Sequence, residues 1–412
     1  RNSEYAFAFV GYSNVCTATE TITNLNLLNT TSVTNMQFMF AYFGYNAMTS
    51  LDLGDNFYTG NVTMMNAMFS SCGYNAMTSL NLGPNFDTSR VTKMQNMFYR
   101  CGRNEMTSLD LGNKFNTSLV TDMERMFDTC GYTAMTTLSL GDNFDTSNVT
   151  NMNSMFSVCG YTEMASLDLG DKFDTTQVTD MEYMFNGTGY KKITSLDLGD
   201  KFNTGNVLNM RGMFQNFGHD SAISLELGDN FDTSKVTNMS YMFYGCGYTL
   251  MPSLDLKDKF NTISVTDMSH MFDKCGYTAM TTLNLGDNFD TRNVTTMDSM
   301  FSVCGYTALE SLDLGDKFDT SSVTDMDWLF NSTGYNKITT FDLGDKFDTS
   351  NVTTMLGMFQ NFGHVSLTSL DLGDKFYTNK VTDMRQLFNG CGNTSMTSLD
   401  LGPAFTKIPD GD

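Results

Sequence analysis

The dipeptide Met39-Phe40 returns as Met68-Phe69, Met97-Phe98 and Met126-Phe127, and its column runs on to Met358-Phe359 and Leu387-Phe388. From Phe40 to Phe388 is 348 residues, or 12 × 29, and no insertion or deletion disturbs the count. Unrelated loops cannot keep such a register. A structural coil stacked on copies of itself must keep it, because every copy presents the same faces to its neighbours. A length of 412 residues would otherwise suggest several globular domains. A second period lies above the first. One column reads Cys130, Cys159, Thr188, Phe217, Cys246 and then Cys275, Cys304, Thr333, Phe362, Cys391, the same phrase displaced by 145, or 5 × 29. His219 and His364 share that displacement, so a block of five coils has been duplicated.

One unit runs from Met77 to Met106. In its first segment Leu80 and Leu82 alternate with polar residues, the pattern of a short strand with one buried face. Gly83 ends the strand, and Phe86 points inward from a loop. Val91, Met94, Met97, Phe98 and Cys101 follow at spacings of three, three, one and three, which predict a short helix. Thr92 is placed as its N-cap, and Thr121 with Glu124 and Thr179 with Glu182 have the spacing of a capping box. Gly102, like Gly73, Gly131, Gly160 and Gly189, falls where a helix needs a left-handed residue after its last turn. The expected fold is therefore an α/β solenoid of about 13–14 coils, each a strand, loop and short helix, with parallel strands along one face. Residues 1–40 read as a divergent N-terminal coil, 41–402 as the tandem repeats and 403–412 as a C-terminal tail. In the first coil Ala6-Phe7 and Gly11-Tyr12 match the helix end, but Leu25 and Leu27 come late. The chain opens with Arg1, which reads as a processed or excised piece of a longer chain.

The consensus M-F-x-x-C-G-Y-x-x-M-T-S-L-D-L-G-x-x-F-D-T-S-x-V-T-x-M resembles the BspA-like leucine-rich repeats of bacterial surface proteins, and within them a surface-protein repeat subfamily of unknown function. The likeness covers nearly the whole chain. It implies a leucine-rich solenoid at the cell surface that binds or adheres, and it implies no catalytic residues.

In a stack every repeat position becomes a ladder, so columns rather than single residues are judged. The Met48, Leu51, Leu53, Phe57, Val62 and Met68 columns share the strand and helix periods and read as core. Eight of the nine cysteines occupy one column, with Cys16 apart. Strand spacing of about 4.8 Å lies inside the disulfide window of about 4.4–6.8 Å, but parallel side-chain vectors oppose bonding. Thr188, Phe217, Thr333 and Phe362 replace Cys with no evident compensation. No CxxC or Cys/His cluster occurs, so a buried ladder of reduced thiols is expected.

Acidic residues outnumber basic ones 46 to 24, a net charge of -22, which opposes nucleic-acid binding. They fill two columns. The strand column holds Asp52, Asp110, Asp168, Asp197, Asp255, Asp313, Asp342 and Asp371, which are the candidate binding residues. The second follows the strand glycine, and its Asp171, Asp200, Asp316 and Asp345 are candidate calcium ligands. Like charges stacked at about 4 Å repel by about 1 kcal/mol in bulk water. A fold does not need that cost, so the columns point to a surface for cations or a basic partner, relieved otherwise by Lys172, Lys201, Lys317 and Lys346. The threonines after Val read as helix caps. Those after the Phe column lie in a loop, unlike the flat strand array of an ice-binding solenoid. No nucleophile–base pair, phosphate loop or membrane-length apolar run is visible.

The resemblance implies an extracellular or cell-surface adhesion module, and the columns, which hold no catalytic set, are in keeping with a non-enzymatic one. It would need no cofactor other than calcium and would meet a protein or glycan on a host or neighbouring cell, with self-association open. The rival is a structural spacer or lattice element without a ligand. The register itself is testable. Deleting one whole unit, Thr107 to Met135, leaves a folded protein with a modestly lower melting temperature, since stability is nearly additive in coils. Deleting about ten residues inside that unit unfolds the neighbouring coils. Equal damage in thermal melts of the two deletions would contradict the register.

Overall fold

The Leu-x-Leu segment forms the parallel strands its alternation demands. The computed structural model describes residues 2–12, 22 and 24–409, and the chain divides into two units, Arg1–Asn206 and Val207–Asp412. In the first, β1 (Ser50–Asp52) pairs with β2 (Ser79–Asn81), and β3 (Ser108–Asp110) with β4 (Thr137–Ser139). In the second, β5 (Ser253–Asp255) pairs with β6 (Thr282–Asn284), and β7 (Ser369–Asp371) with β8 (Ser398–Asp400). Every pairing is one period long, as Leu51 with Leu80. A second ladder crosses each coil after the Val column. In the first unit it links Asn35, Met64, Lys93, Asp122, Asn151 and Asp180, and in the second Asn209, Asn238, Asp267, Thr296, Asp325, Thr354 and Asp383. Within each unit the coils stack as a parallel β-solenoid.

The expected helix is absent. Among the described residues the only helical segment is the 3₁₀ turn Leu25–Leu27, so the α/β assignment is corrected to a β-solenoid with turns. The hydrogen bonds show why. Met65, Ala67, Phe69 and Ser71 donate their N–H groups to the next coil, to the carbonyls of Lys93, Gln95, Met97 and Tyr99 at 3.2, 2.8, 2.9 and 2.6 Å. The intervening Met68, Ser70 and Cys72 donate three residues back, to Met65, Ala67 and Phe69 at 3.2, 3.1 and 3.1 Å. Half the donors are thus spent between coils, and none is left for the four-residue reach of an α-helix. An α-helix with its side chains is about 10–12 Å across, whereas the Phe69 and Phe98 rings on this face stack at 5.5 Å. A helix would force the coils apart on one side while the strand ladder holds them together on the other.

The overlapping turns require a left-handed residue at every fourth position. Ala67 and Ser71 have φ of 52° and 55°, Asn96 and Arg100 58° and 54°, Arg125 and Thr129 54° and 60°. The turns still aim Met94, Met97, Phe98 and Cys101 fully inward, so the core columns match the expectation although the backbone differs. Thr92 caps nothing. Its N–H and its Oγ1 both donate to the Thr63 carbonyl of the preceding coil, at 3.0 and 3.3 Å. The Glu124 N–H donates to Asp122 Oδ1 rather than closing a capping box.

Buried polar groups are satisfied between coils. Thr59, fully buried, donates to the Asp87 carbonyl at 2.8 Å, and Thr88 to that of Asn116 at 2.7 Å. Three of the four exceptions in the cysteine column, all but Phe362, are compensated after all. Thr188 and Thr333 donate to the Phe156 and Phe301 carbonyls at 2.7 and 2.6 Å. Phe217 is accommodated because Ala222 stands where most coils carry Met, and both are fully buried.

Left-handed backbone costs an L-residue about 1–2 kcal/mol, most for a β-branched side chain. Val158 sits there with φ 57°, in a column that Gly187 and Gly245 also occupy. Val158→Gly is expected to stabilise the chain by about 1 kcal/mol; a helix would give the opposite sign. Gly102, at φ 51°, would place a new Cβ 2.5 Å from Met106 Cβ. Gly102→Ala is expected to destabilise by more than about 1 kcal/mol. Urea unfolding of both variants checks the pair.

Candidate functional site

The strand aspartates are backbone acceptors. Asp52 Oδ1 accepts the N–H of the left-handed Gly54 at 2.9 Å, a two-residue side-chain turn. Asp110, Asp168 and Asp197 accept from Gly112, Gly170 and Gly199 at 3.0, 2.9 and 2.9 Å. In the second unit Asp255, Asp313, Asp342 and Asp371 accept from Lys257, Gly315, Gly344 and Gly373 at 3.1, 2.9, 2.8 and 2.8 Å. Asn81 and Asn284 make the same bond at 3.0 and 3.1 Å, which is why the column exchanges Asp for Asn. Two further columns do likewise, as Asp87 with Ser89 at 2.9 Å and Asp122 with Glu124 at 3.1 Å. The fold therefore does use this column, but as acceptor oxygens rather than as charges. An intramolecular hydrogen bond of this kind contributes about 1 kcal/mol, comparable with the repulsion between neighbours in water.

The second acidic column is different. Asp171, Asp200, Asp316 and Asp345 are exposed. Two of the four lysines expected to neutralise them reach elsewhere: Lys172 and Lys317 donate to Asn143 and Asn288 Oδ1, both at 2.9 Å. The two columns face each other across shallow grooves. In the first unit Asp168, Asp171, Asp197, Asp200 and Lys201 line one of about 640 Å³. In the second, Asp313, Asp316, Asp342, Asp345 and Lys346 line one of about 370 Å³. Among the described residues no three carboxylate, imidazole or thiol groups converge well enough to hold a metal ion; the strand carboxylates are turned toward their own backbone.

The cysteines form the expected column of free thiols. Cys72, Cys101, Cys130, Cys159, Cys246, Cys275 and Cys304 are buried and unpaired, and Cys391 is half-buried. Burial pushes the Cys246 and Cys304 thiols up to about 12, so they are inert as nucleophiles. Cys16 lies outside the described residues.

One charged cluster escaped the column reading. His270 Nδ1 lies 3.0 Å from Asp273 Oδ2 in its own coil, and Nε2 lies 3.5 Å from Asp298 Oδ2 in the next. Its ring stacks on Tyr241 of the coil before, at 4.6 Å. Burial lowers the imidazole pKa, but the hydrogen bonds and charges of Asp273 and Asp298 outweigh it and raise the pKa to about 9. Aligning position 270 with Arg125, which pairs with Asp128 at 2.8 Å in the equivalent place, was the available signal.

Two predictions follow from these contacts. Asp313→Asn with Asp342→Asn keeps the acceptor oxygens and leaves thermal stability nearly unchanged, whereas the paired Ala variants lose about 1 kcal/mol per site. The His270 contribution is fully present below its unfolded pKa of about 6.5 and is lost as pH rises through about 9. Melting temperature should therefore fall over that window, and His270→Gln should flatten the slope.

A family model described as "Mycoplasma protein of unknown function, DUF285" matches residues 11–132, 41–164, 70–191, 102–217, 132–246, 161–276, 189–305, 217–340 and 277–400. No curated protein and no solved structure gives a significant match. The overlapping matches tile the same repeat across both units, each spanning several coils. The chain belongs to the DUF285 repeat family.

Proposed function

We propose that the chain is a non-enzymatic binding module of the BspA-like surface-protein kind, which presents its acidic grooves to a basic partner outside the cell. The observation that carries this reading is the repetition of paired carboxylates along the strand side, with Asp171 and Asp316 exposed and the nearby Lys172 and Lys317 engaged by asparagines. Same-sign charge in a groove with low-dielectric walls concentrates the potential and steers oppositely charged partners. Repetition at one-coil spacing adds avidity, since a partner that engages one groove meets the next at high effective concentration. The strands present Ser or Thr beside each acidic residue, so a polar partner finds hydrogen-bonding groups as well as charge. Basic protein segments fit this chemistry better than acidic glycans.

The spacer reading is supported by the departures from consensus on the strand side. Tyr58, Asn81, Ser139, Glu226, Lys257, Asn284 and Tyr377 are scattered rather than gathered into one patch. The two readings separate in a binding experiment. The full chain should retain an oligolysine peptide at low salt and release it as salt rises. Replacing Asp171, Asp316 and Asp345 together with Asn should weaken retention several-fold without lowering the melting temperature. Equal retention by wild type and variant would discard the acidic grooves as the binding surface and favour the spacer. Release of the peptide by calcium beyond that by sodium chloride at matched ionic strength would mark the second column as a calcium site, and equal release would mark calcium as a counter-ion only.

A further inference from the structure

The tyrosines that follow the left-handed glycine of each coil form ladders unrelated to the acidic side. In the second unit Tyr248 stacks on Tyr277 at 4.6 Å, Tyr277 on Tyr306 at 4.8 Å and Tyr306 on Tyr335 at 4.5 Å, with interplanar angles of 7°, 6° and 14°. His219 stacks on Tyr248 at 4.4 Å and His364 on Tyr335 at 4.5 Å, closing the ladder at both ends. In the first unit Tyr45 stacks on Tyr74 at 4.6 Å, Tyr132 on Tyr161 at 4.6 Å and Tyr161 on Tyr190 at 4.4 Å. Between these two groups Arg103 takes the tyrosine position, its guanidinium carbon 5.4 Å from the Tyr74 ring and 4.2 Å from that of Tyr132. All these tyrosines are half-buried, unlike the fully buried Phe69 and Phe98 ladder.

We infer that these ladders are sites of oxidative cross-linking, in which neighbouring tyrosines of successive coils couple into dityrosine and staple the coils covalently. Coupling needs two phenols held side by side and an external oxidant with access to them; the half-buried stack supplies the first and leaves the rings within reach of the second. Burial, and then the neighbouring phenol, raise the pKa of Tyr248 and Tyr306, so the groups rest as neutral phenols. The co-reactant is hydrogen peroxide acting through a haem peroxidase. Each phenol gives up one electron and its hydroxyl proton. The two phenoxyl radicals join through the ring carbons beside the oxygens, and the hydrogens on those carbons move to the oxygens to restore both phenols. The two electrons and two protons reduce one peroxide to two waters. The parallel rings must tilt toward each other for the bond to close, a movement that full burial would forbid and half-burial does not. Held one coil apart, the partners meet without diffusion, the effective-concentration advantage of any preorganised pair.

The sequence contains its own control. Tyr74 and Tyr132 are separated by Arg103 and cannot meet, and no described ring stacks on Tyr58 or Tyr377. The test treats the dilute full chain with hydrogen peroxide and a haem peroxidase, then follows dityrosine fluorescence, gel mobility and the mass spectra of digests. The expected result is a monomer with cross-links at Tyr248–Tyr277, Tyr277–Tyr306, Tyr306–Tyr335 and the first-unit pairs, and none at Tyr74–Tyr132. Tyr277→Phe, which keeps the stack, should lose two of those links and retain the rest. Arg103→Tyr should add links to Tyr74 and Tyr132. The inference is overturned if the folded chain forms no dityrosine while the urea-unfolded chain does. It is equally overturned if the links are only intermolecular or include Tyr58 and Tyr377 as often as the ladder.

Discussion

The structure depends on one backbone hydrogen bond, from an N–H in one coil to the carbonyl 28 residues on in the next, as from Phe69 to Met97 at 2.9 Å. It recurs at alternate residues through the turn segment and, with the strand pairs, ties coils together on more than one face. Because both faces rise by the same small step, every side-chain column becomes a stack. The phenylalanines, the tyrosines, the thiols and the carboxylates are consequences of that single spacing. The intervening N–H groups close three-residue turns within the coil, and the left-handed residues follow from those turns.

The acidity of the chain has two origins that composition cannot separate. Asp52, Asp313 and their equivalents satisfy backbone donors, a role that Asn fills equally at Asn81 and Asn284. Asp171 and Asp316, exposed on the groove edge, have no such backbone role in the fold described. The functional proposal therefore rests on the second column more than on the first. That reverses the weight the sequence suggests, since the strand position of Asp52 is the more conspicuous one.

The period and the inward columns were fully legible, because burial repeats with the sequence whatever the backbone does. The helix was misread for a definite reason. Met94, Met97, Phe98 and Cys101 have helical spacing, but overlapping turns with a left-handed residue every fourth place aim the same residues inward. A signal against the helix was present. Gly187, Gly245 and Gly390 occupy one column just before the end of the segment, and Gly212 and Gly357 another in its middle, four residues earlier. A helix would lose about 1 kcal/mol at each, whereas a left-handed position favours glycine. The side-chain turns were legible too, in the exchange of Asp for Asn, which charge alone does not explain. The His270 cluster was not, because its partners come from two coils and only the stacking brings them together.

The central claim is that, within each unit, hydrogen bonds between successive coils replace the helix. Far-ultraviolet circular dichroism of the folded chain tests it most directly. The account predicts the spectrum of a sheet-and-turn protein, without the paired minima of α-helix. A spectrum showing helix in the proportion that the Val-to-Cys segment makes of each coil would contradict it.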